Sequence, residues 1–257
     1  MKNSNHLEIE LYPRHQKEAI ILFQTSFSKE IRGSNFQDQS QFFIDNDDRI
    51  WLWKKLTLNK LIREYIVSTL ASELGIRIPQ SIISRRGYSL GLLQEWVERA
   101  EELAVSLGST STSIKETDIL DLFVFEAWIG ALDRHGGNYL TSNKGELWGI
   151  DFENCFSRDI TGSELCLYYP WIKDSKQGLE QAIKKLTGLI TEKRLLENYK
   201  SILNIVNILA DPRAKKAFKY QLALIFTLLK DNLAELAETV DTYLDNSLSS
   251  PGFILYT

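Results

Sequence analysis

The first part of the chain shows the hydrophobic pattern of short strands. Residues 7–11 alternate between apolar and polar side chains, and two apolar runs, at 41–44 and 50–53, are separated by the polar residues 46–48. Alternation predicts half-buried strands, and a short polar segment between two runs predicts a turn. We therefore expect an antiparallel sheet in this part of the chain.

The spacing of apolar residues becomes helical between residues 56 and 74. Leu61, Tyr65 and Leu70 lie near one face of such a helix, and Gly75 directly after it is a favourable C-terminal cap. Three strand-like runs follow, at residues 76–79, 81–84 and 89–93. The pattern predicts a sheet with one embedded helix.

The second part of the chain is predicted to be mainly helical. Residues 119–132 are apolar nearly all round a helix, so this helix should be buried and should hold the polar segment that follows it in a fixed position. Three more helices are predicted at about residues 178–186, 191–210 and 213–244.

Composition and charge narrow the class of protein. The chain has 257 residues, 44% of them hydrophobic, which is enough for one large or two modest lobes around a core. A formal net charge of −4 gives no general attraction for nucleic acid or an anionic membrane. Only two cysteines, an N-terminus without an apolar signal and no apolar run long enough for a transmembrane segment predict a reduced, cytoplasmic protein.

One short segment combines the residue types of phosphotransfer chemistry. It contains Asp133 and Asn138, and a second aspartate, Asp151, follows after a predicted hairpin. Kinase-type phosphotransferases present a base and two magnesium ligands with this spacing. Taken singly, each residue is more often an ordinary turn or strand-end group. Their joint spacing, directly after a buried helix, indicates a phosphotransferase site.

The turn of the hairpin decides how Asn138 and Asp151 face each other. If Lys144 and Gly145 form a two-residue turn, Asn138 and Asp151 are direct cross-strand neighbours. A three-residue loop shifts the register by one and makes them near-diagonal. In either register an amide oxygen and a carboxylate converge, as Mg²⁺ requires, with phosphate oxygens and water completing its shell.

A kinase that uses ATP also needs a positively charged side chain next to the α- and β-phosphates. This is usually a lysine on a strand that pairs with a glutamate on a helix. Lys54 ends an apolar strand and shares a strand face with Leu52, and Glu64 lies ten residues later in the predicted helix. The adjacent Lys55 is the alternative. Strand parity favours Lys54.

Two other segments are candidate nucleotide contacts. Gly33 and Ser34 lie in a loop whose backbone N–H groups could surround phosphates, although an ordinary turn explains them equally well. Glu95 and Val97 lie where the chain leaves the predicted sheet, and backbone groups there could hydrogen-bond adenine. The alternative for Glu95 and Val97 is a plain connection from a strand to a helix.

Asp133 and the polar residues near it are expected to have different roles in phosphoryl transfer. Asp133 would orient the attacking hydroxyl or accept its proton, while Asn138 and Asp151 hold Mg²⁺ against the transferring phosphoryl group. His135 is either a base or a residue that holds the loop through ring hydrogen bonds. Arg134 is expected to pair with a neighbouring carboxylate or phosphate.

These motifs resemble those of the HipA-like kinases, a branch of the protein-kinase-like superfamily related to phosphatidylinositol kinases. The most specific likeness lies in the predicted catalytic hairpin and the helix before it, residues 125–130, 133–138 and 147–152. Weaker likeness lies in the phosphate loop and in the helix and turn after the nucleotide lysine, residues 33–34, 63–65 and 74–79. The resemblance spans roughly residues 30–160.

The resemblance implies an α+β, bilobal, protein-kinase-like fold. The N-lobe, residues 1–97, would be an antiparallel sheet with one helix, and the C-lobe, residues 98–257, would be mostly helical around the catalytic hairpin 133–152. ATP and Mg²⁺ are the implied cofactors. Because serines of the phosphate loop can be phosphorylated in this family, Ser34 is a candidate regulatory site.

The resemblance also implies transfer of the γ-phosphoryl group to a serine or threonine of a protein substrate. A lipid kinase of the phosphatidylinositol type is the alternative, but residues 154–159 contain a single arginine, which favours a protein substrate. A pseudokinase that binds nucleotide without turnover is a third hypothesis. Gly136 and Gly137 stand where some relatives carry a lysine, so a lysine contact to the γ-phosphate is not carried over. An antitoxin-like or regulatory protein partner stays open.

Overall fold

A computed structural model describes most residues of the chain. These are residues 9–12, 23–25, 41–86, 88–98, 100–103, 114–157, 172, 174–208 and 212–249.

The first part of the chain forms a six-stranded antiparallel sheet. Its strands are β1 (Ile9–Tyr12), β2 (Phe23–Thr25), β3 (Gln41–Ile44), β4 (Ile50–Lys54), β5 (Ser81–Arg86) and β6 (Ser89–Glu95). Their order across the sheet is β1-β5-β6-β4-β3-β2. The predicted antiparallel sheet is confirmed, including the turn between β3 and β4.

The strand predicted at residues 76–79 is wrong. Ile76 donates its backbone N–H to Ala71 O at the end of the preceding helix, and residues 76–79 have no strand assignment. Pro79 carries no N–H, so this segment could not complete a ladder on both sides. Arg77 O instead accepts from the Gly149 N–H at 3.0 Å.

Helix α1 (Leu58–Leu74) packs against β5 and β6, as the embedded helix was predicted to do. Gly75 ends it with φ +68°, and its N–H donates to Ala71 O. A left-handed residue at this position suits glycine, because a Cβ strains the backbone of its own residue at positive φ.

Helix α2 (Glu116–Ile129) is buried along almost its whole length from Ile119 onwards. It ends three residues before the predicted limit, at Gly130, whose φ is +60°. A Cβ at Gly130 would lie 2.3 Å from Ser157 O, so only glycine permits the close approach of these two segments. The buried helix thereby fixes where the polar segment after it begins.

The rest of the described chain adds a second sheet and three helices. The sheet consists of β7 (Ala100–Glu102), β8 (Tyr139–Ser142) and β9 (Leu147–Gly149), in that order. The helices are α3 (Lys176–Leu189), α4 (Glu192–Ile208) and α5 (Pro212–Ser249), close to the predicted bounds. The result is a mixed fold with strands and helices. Among the described helices none is both long enough and apolar enough to cross a bilayer.

Candidate functional site

The hairpin between β8 and β9 has the three-residue loop, the second of the two predicted registers. Ser142 N–H donates to Glu146 O at 3.0 Å, and Gly145 has φ +72°, as in a type I turn followed by a left-handed residue. The ladder continues to Asn138, whose backbone oxygen accepts from the Ile150 N–H at 2.9 Å. Asp151 is therefore one residue beyond the direct partner of Asn138. The two-residue turn is wrong.

Asp133 is joined to Asn138 and to the segment after Asp151. The Asn138 amide nitrogen donates to Asp133 O at 3.1 Å, and the Asn154 amide nitrogen donates to Asp133 Oδ2 at 3.3 Å. Because Asn138 uses its amide nitrogen for this bond, its amide oxygen is the atom left to act as a ligand. Asp133 and Asp151 both have φ of +57°, a conformation that is uncommon outside glycine and that concentrates at functional sites.

The strand lysine and the second aspartate form a direct ion pair. Lys54 Nζ lies 2.7 Å from Asp151 Oδ1, although the two residues are far apart in sequence. The Lys54 ammonium lowers the pKa of Asp151. Burial alone would lower the pKa of Lys54, but the Asp151 and Glu64 carboxylates outweigh it and the pKa is raised. Lys55, the alternative to Lys54, is exposed.

Glu64 is buried on α1 close enough to Lys54 and Asp151 to feel both charges. Burial is the main cause that raises its pKa to about 7, the positive charge of Lys54 acts in the opposite direction, and the negative charge of Asp151 raises it further. A glutamate near its pKa beside a lysine can stabilise the ammonium once the aspartate is engaged elsewhere. Lys54 forms its ion pair with Asp151, and Glu64 acts on it only through its charge, so the predicted pairing of Glu64 with Lys54 stays a prediction.

Helix α1 also contacts the segment directly after Asp151. Lys60 Nζ lies 2.6 Å from Glu153 Oε1, and Arg63 donates to Glu153 O at 3.2 Å. These bonds hold the loop that carries Asp151 against the helix that carries Glu64. Sequence reasoning missed Lys60 and Glu153, because neither residue stands in a motif.

Arg134 joins both segments that carry the predicted metal ligands. Its guanidinium donates to Asn138 O at 3.2 Å, to Ile150 O at 2.8 Å and to Asp151 O at 3.2 Å. It also packs between two rings, with Cζ 4.7 Å from the Tyr139 ring centroid and 4.3 Å from that of Phe152.

A fully buried carboxylate balances the charge of Arg134. Arg134 Nη2 lies 2.8 Å from Glu126 Oε1, and the Tyr139 hydroxyl donates to Glu126 Oε2 at 2.8 Å. The prediction that Arg134 pairs with a carboxylate is confirmed. We call Glu126, Arg134, Tyr139 and Phe152 the Arg134 network. Glu126 was given no role, although an acidic residue inside the apolar stretch 122–132 signals a buried partner.

His135 is exposed and starts the single 3-10 turn (Gly136–Asn138) that leads into β8. Its Nδ1 accepts from the Gly137 N–H at 3.2 Å, so the ring holds the turn that presents Asn138. Of the two roles predicted for His135, this hydrogen bond favours holding the loop. It also leaves Nε2 as the nitrogen that carries the proton in the neutral ring.

Glu95 and Val97 lie at the exit from the sheet. Glu95 is the last residue of β6 and is half-buried, and burial raises the pKa of its carboxyl group. The segment leads to the short strand β7, not to a helix as the alternative reading had it. The neighbouring Gln94, which sequence reasoning did not single out, is buried and its Nε2 has no hydrogen-bond partner among the described residues.

The donor set at the hairpin suits a hard divalent cation. Asn138 offers an amide oxygen and Asp151 a carboxylate, and Mg²⁺ prefers oxygen ligands of this kind, often only one or two from the protein. The described residues contain no cluster of three or more histidine, cysteine, aspartate or glutamate side chains placed to bind a metal. Gly33 and Ser34, the candidate phosphate loop, lie outside the described residues.

Comparison with known proteins shows the fold and no family. Neither a protein-family model nor a curated protein sequence matches the chain. Among solved structures, the chain is similar to the crystal structure of a Helicobacter pylori proinflammatory kinase, CtkA, with a TM-score of 0.50 and 12% sequence identity. The similarity covers 80% of this chain and 97% of that chain. The chain therefore has a kinase-like fold. A sequence identity of 12% does not show a shared activity or substrate.

Proposed function

We propose that the protein is a kinase that transfers the γ-phosphoryl group of ATP to the hydroxyl group of a serine or threonine in a protein substrate. The observation that carries the proposal is the ion pair between Lys54 and Asp151. It brings the end of a sheet strand to the loop after the hairpin, where a kinase needs its phosphate cation beside its metal ligand.

The residues around this pair have the chemistry that phosphoryl transfer requires. Asp133 is exposed, and one of its carboxylate oxygens is oriented by Asn154, so it can orient a hydroxyl group and accept its proton. Lys54, whose positive charge the Glu64 carboxylate favours, is the cation for the α- and β-phosphates. Asn138 and Asp151 are the residues that would hold Mg²⁺, which when bound neutralises charge on the phosphates.

The division into two lobes belongs to the same proposal. Residues 1–97 form the nucleotide-binding lobe and residues 98–257 the lobe that carries the hairpin. ATP would lie between them, with its base near Glu95 and Val97 and its phosphates near Lys54. Support comes from the kinase-like fold and from the placement of Lys54, at the end of a sheet strand, against the hairpin loop.

Incubation of the purified protein with γ-labelled ATP and Mg²⁺ tests the proposal. The label is expected in the protein itself or in a protein of a cell lysate, and label in extracted lipid would identify a lipid kinase. Asp133→Asn should lower turnover by about 10²- to 10⁴-fold, because it removes the acceptor for the hydroxyl proton. Asp151→Ala should abolish turnover.

A matched pair of lysine variants controls for general damage. Lys54→Met removes the ion pair with Asp151, while Lys55→Met changes an exposed neighbour. Loss of turnover in the first variant alone supports the assignment. Equal turnover in both, or near-normal turnover in Asp133→Asn with an unchanged melting temperature, contradicts it. Binding of ATP without any turnover in the wild type would make the protein a pseudokinase.

A further inference from the structure

The side-chain amide nitrogen of Gln94 is a buried donor without a hydrogen-bond partner among the described residues. The side chain is 4% exposed, and its Nε2 forms no hydrogen bond with any described residue. An unpaired buried donor destabilises the folded state, so folded proteins pair nearly all such groups. A buried amide that is left unpaired beside a candidate ligand site points to a ligand as its partner.

Gln94 lies on the same face of the sheet as the proposed nucleotide lysine. In the β4–β6 ladder, Gln94 is opposite Leu52, and Leu92 is opposite Lys54. Cross-strand partners project to the same face, and so do residues two apart on one strand. Gln94 and Lys54 therefore share a face.

The opposite face of the sheet carries an apolar cluster. Trp53, Ile82 and Leu93 are buried there together with Phe43 and Trp51. The carboxamide therefore lies on the side of the sheet that the proposed ATP would occupy, one residue before Glu95.

The chemistry of a carboxamide selects one purine. We propose that Gln94 reads the edge of adenine that carries N6 and N7, and so makes the site prefer adenine to guanine nucleotides; this rests on the proposed function. A carboxamide offers one donor and one acceptor, and adenine presents the acceptor N7 beside the donor N6–H. Guanine presents two acceptors, N7 and O6, at the same edge, so one of its atoms would face the carboxamide oxygen unpaired.

A substitution at Gln94 should raise the stability of the protein and lower its affinity for the nucleotide. Gln94→Leu removes the unpaired amide at similar volume, so the melting temperature without nucleotide should rise. Affinity for ADP with Mg²⁺, measured by titration calorimetry, should fall about tenfold, the value of one to two hydrogen bonds. The preference for ADP over GDP should disappear in the same variant.

Gln41→Leu is the matched control. Gln41 Oε1 is also buried without a partner, but Gln41 pairs with Trp53 and so lies on the opposite face of the sheet. Its substitution should raise the melting temperature and leave the affinities for ADP and GDP unchanged.

The analogue 7-deaza-ADP tests the contact itself, because it replaces N7 by a C–H group. Wild type should bind it several-fold more weakly than ADP, and Gln94→Leu should bind both equally. If the wild type distinguishes the two ligands and the variant does so to the same extent, Gln94 does not read the base. If the wild type binds neither ligand, the proposed function fails and this inference with it. Gln94→Met serves in the same comparison if Gln94→Leu does not fold.

Discussion

At the scale of single residues, burial makes the charged form of the Glu64 carboxyl group unfavourable. Burial raises its pKa from 4.5 to about 7 despite the nearby ammonium of Lys54, and Asp151 and Glu153 add negative charge around it. Groups held in this way concentrate at functional sites, where a shifted pKa is useful. Here it keeps an acid near Lys54 that can accept or release a proton as the surrounding charges change.

The pKa of Glu64 predicts how stability depends on pH. Between pH 4.5 and 7 the unfolded chain has released the Glu64 proton while the folded protein still holds it, so the free energy of unfolding falls as pH rises. Glu64→Gln cannot ionise. Wild type should therefore lose stability relative to this variant across that window and change little below or above it.

Denaturant unfolding at a series of pH values measures this difference. A constant difference between wild type and Glu64→Gln from pH 4.5 to 7 would show that Glu64 has the same pKa in both states. The comparison between the two proteins cancels the titration of shared groups that do not interact with Glu64.

Sequence reasoning identified the polar residues of the site but not their supports. Asp133, Asn138 and Asp151 stand out because their spacing is local and their residue types carry the chemistry. Glu126 and Gln94 did not stand out, because their roles depend on what lies across the fold from them. A local pattern shows which residues carry reactive groups, and tertiary packing decides which groups hold them.

At the scale of secondary-structure elements, the helices were predictable and the short strands only in part. Helix α2 follows from a long apolar run and the other four helices from local periodicity over many residues, so the sequence carries each signal repeatedly. The three-residue strand β7 was missed because Ala100–Glu102 has low strand propensity and finds its partner about forty positions away in β8. The register of the hairpin was left open because its turn sequence fits two loop lengths.

The Arg134 network should contribute strongly to the stability of the hairpin. Tyr139→Phe removes a hydroxyl that bonds Glu126 and Arg134 inside the protein, so the free energy of unfolding should fall by about 1–3 kcal/mol. Glu126→Gln leaves the buried guanidinium without its counter-charge and should cost about 3–5 kcal/mol. Chemical denaturation of each variant measures both effects.

Tyr220→Phe provides the control for Tyr139→Phe, because Tyr220 is 65% exposed on α5. Since Tyr139 and Glu126 share a hydrogen bond, the double variant should lose less than the sum of the single losses. Strict additivity would show that the two side chains act independently of each other.

The close approach at the end of α2 gives a second prediction for this part of the fold. Gly130→Ala should destabilise the protein by about 1–3 kcal/mol, because φ is +60° and the new Cβ would meet Ser157 O. Gly188→Ala, on the exposed side of α3 with nothing within 4 Å, should instead stabilise it by about 0.5–1 kcal/mol. Thermal unfolding of the two variants checks the opposite signs, and a shift in the same direction for both would contradict the packing argument.

At the scale of the whole molecule, one continuous core joins the sheet to the helices. The cluster of buried apolar residues includes Ile83 and Leu92 of the sheet, Ile66 of α1, Phe125 of α2 and Leu229 of α5. Hydrogen bonds also connect these elements. Helix α1 contacts the loop after Asp151, and Trp128 Nε1 of α2 donates to Leu229 O of α5. The two proposed lobes therefore share one cluster of buried apolar residues.

A shared core predicts that the two lobes unfold together. Separating them would expose the apolar surface that α1 shares with α5, and this cost favours a single cooperative transition. In hydrogen exchange followed by mass spectrometry over a denaturant series, the slowest amides of β6 and of α2 should become exchangeable at the same denaturant concentration. Earlier exchange throughout β6, with α2 still protected, would mean that the sheet opens independently. The ion pair between Lys54 and Asp151 would then have to form anew each time the nucleotide lobe refolds onto the hairpin.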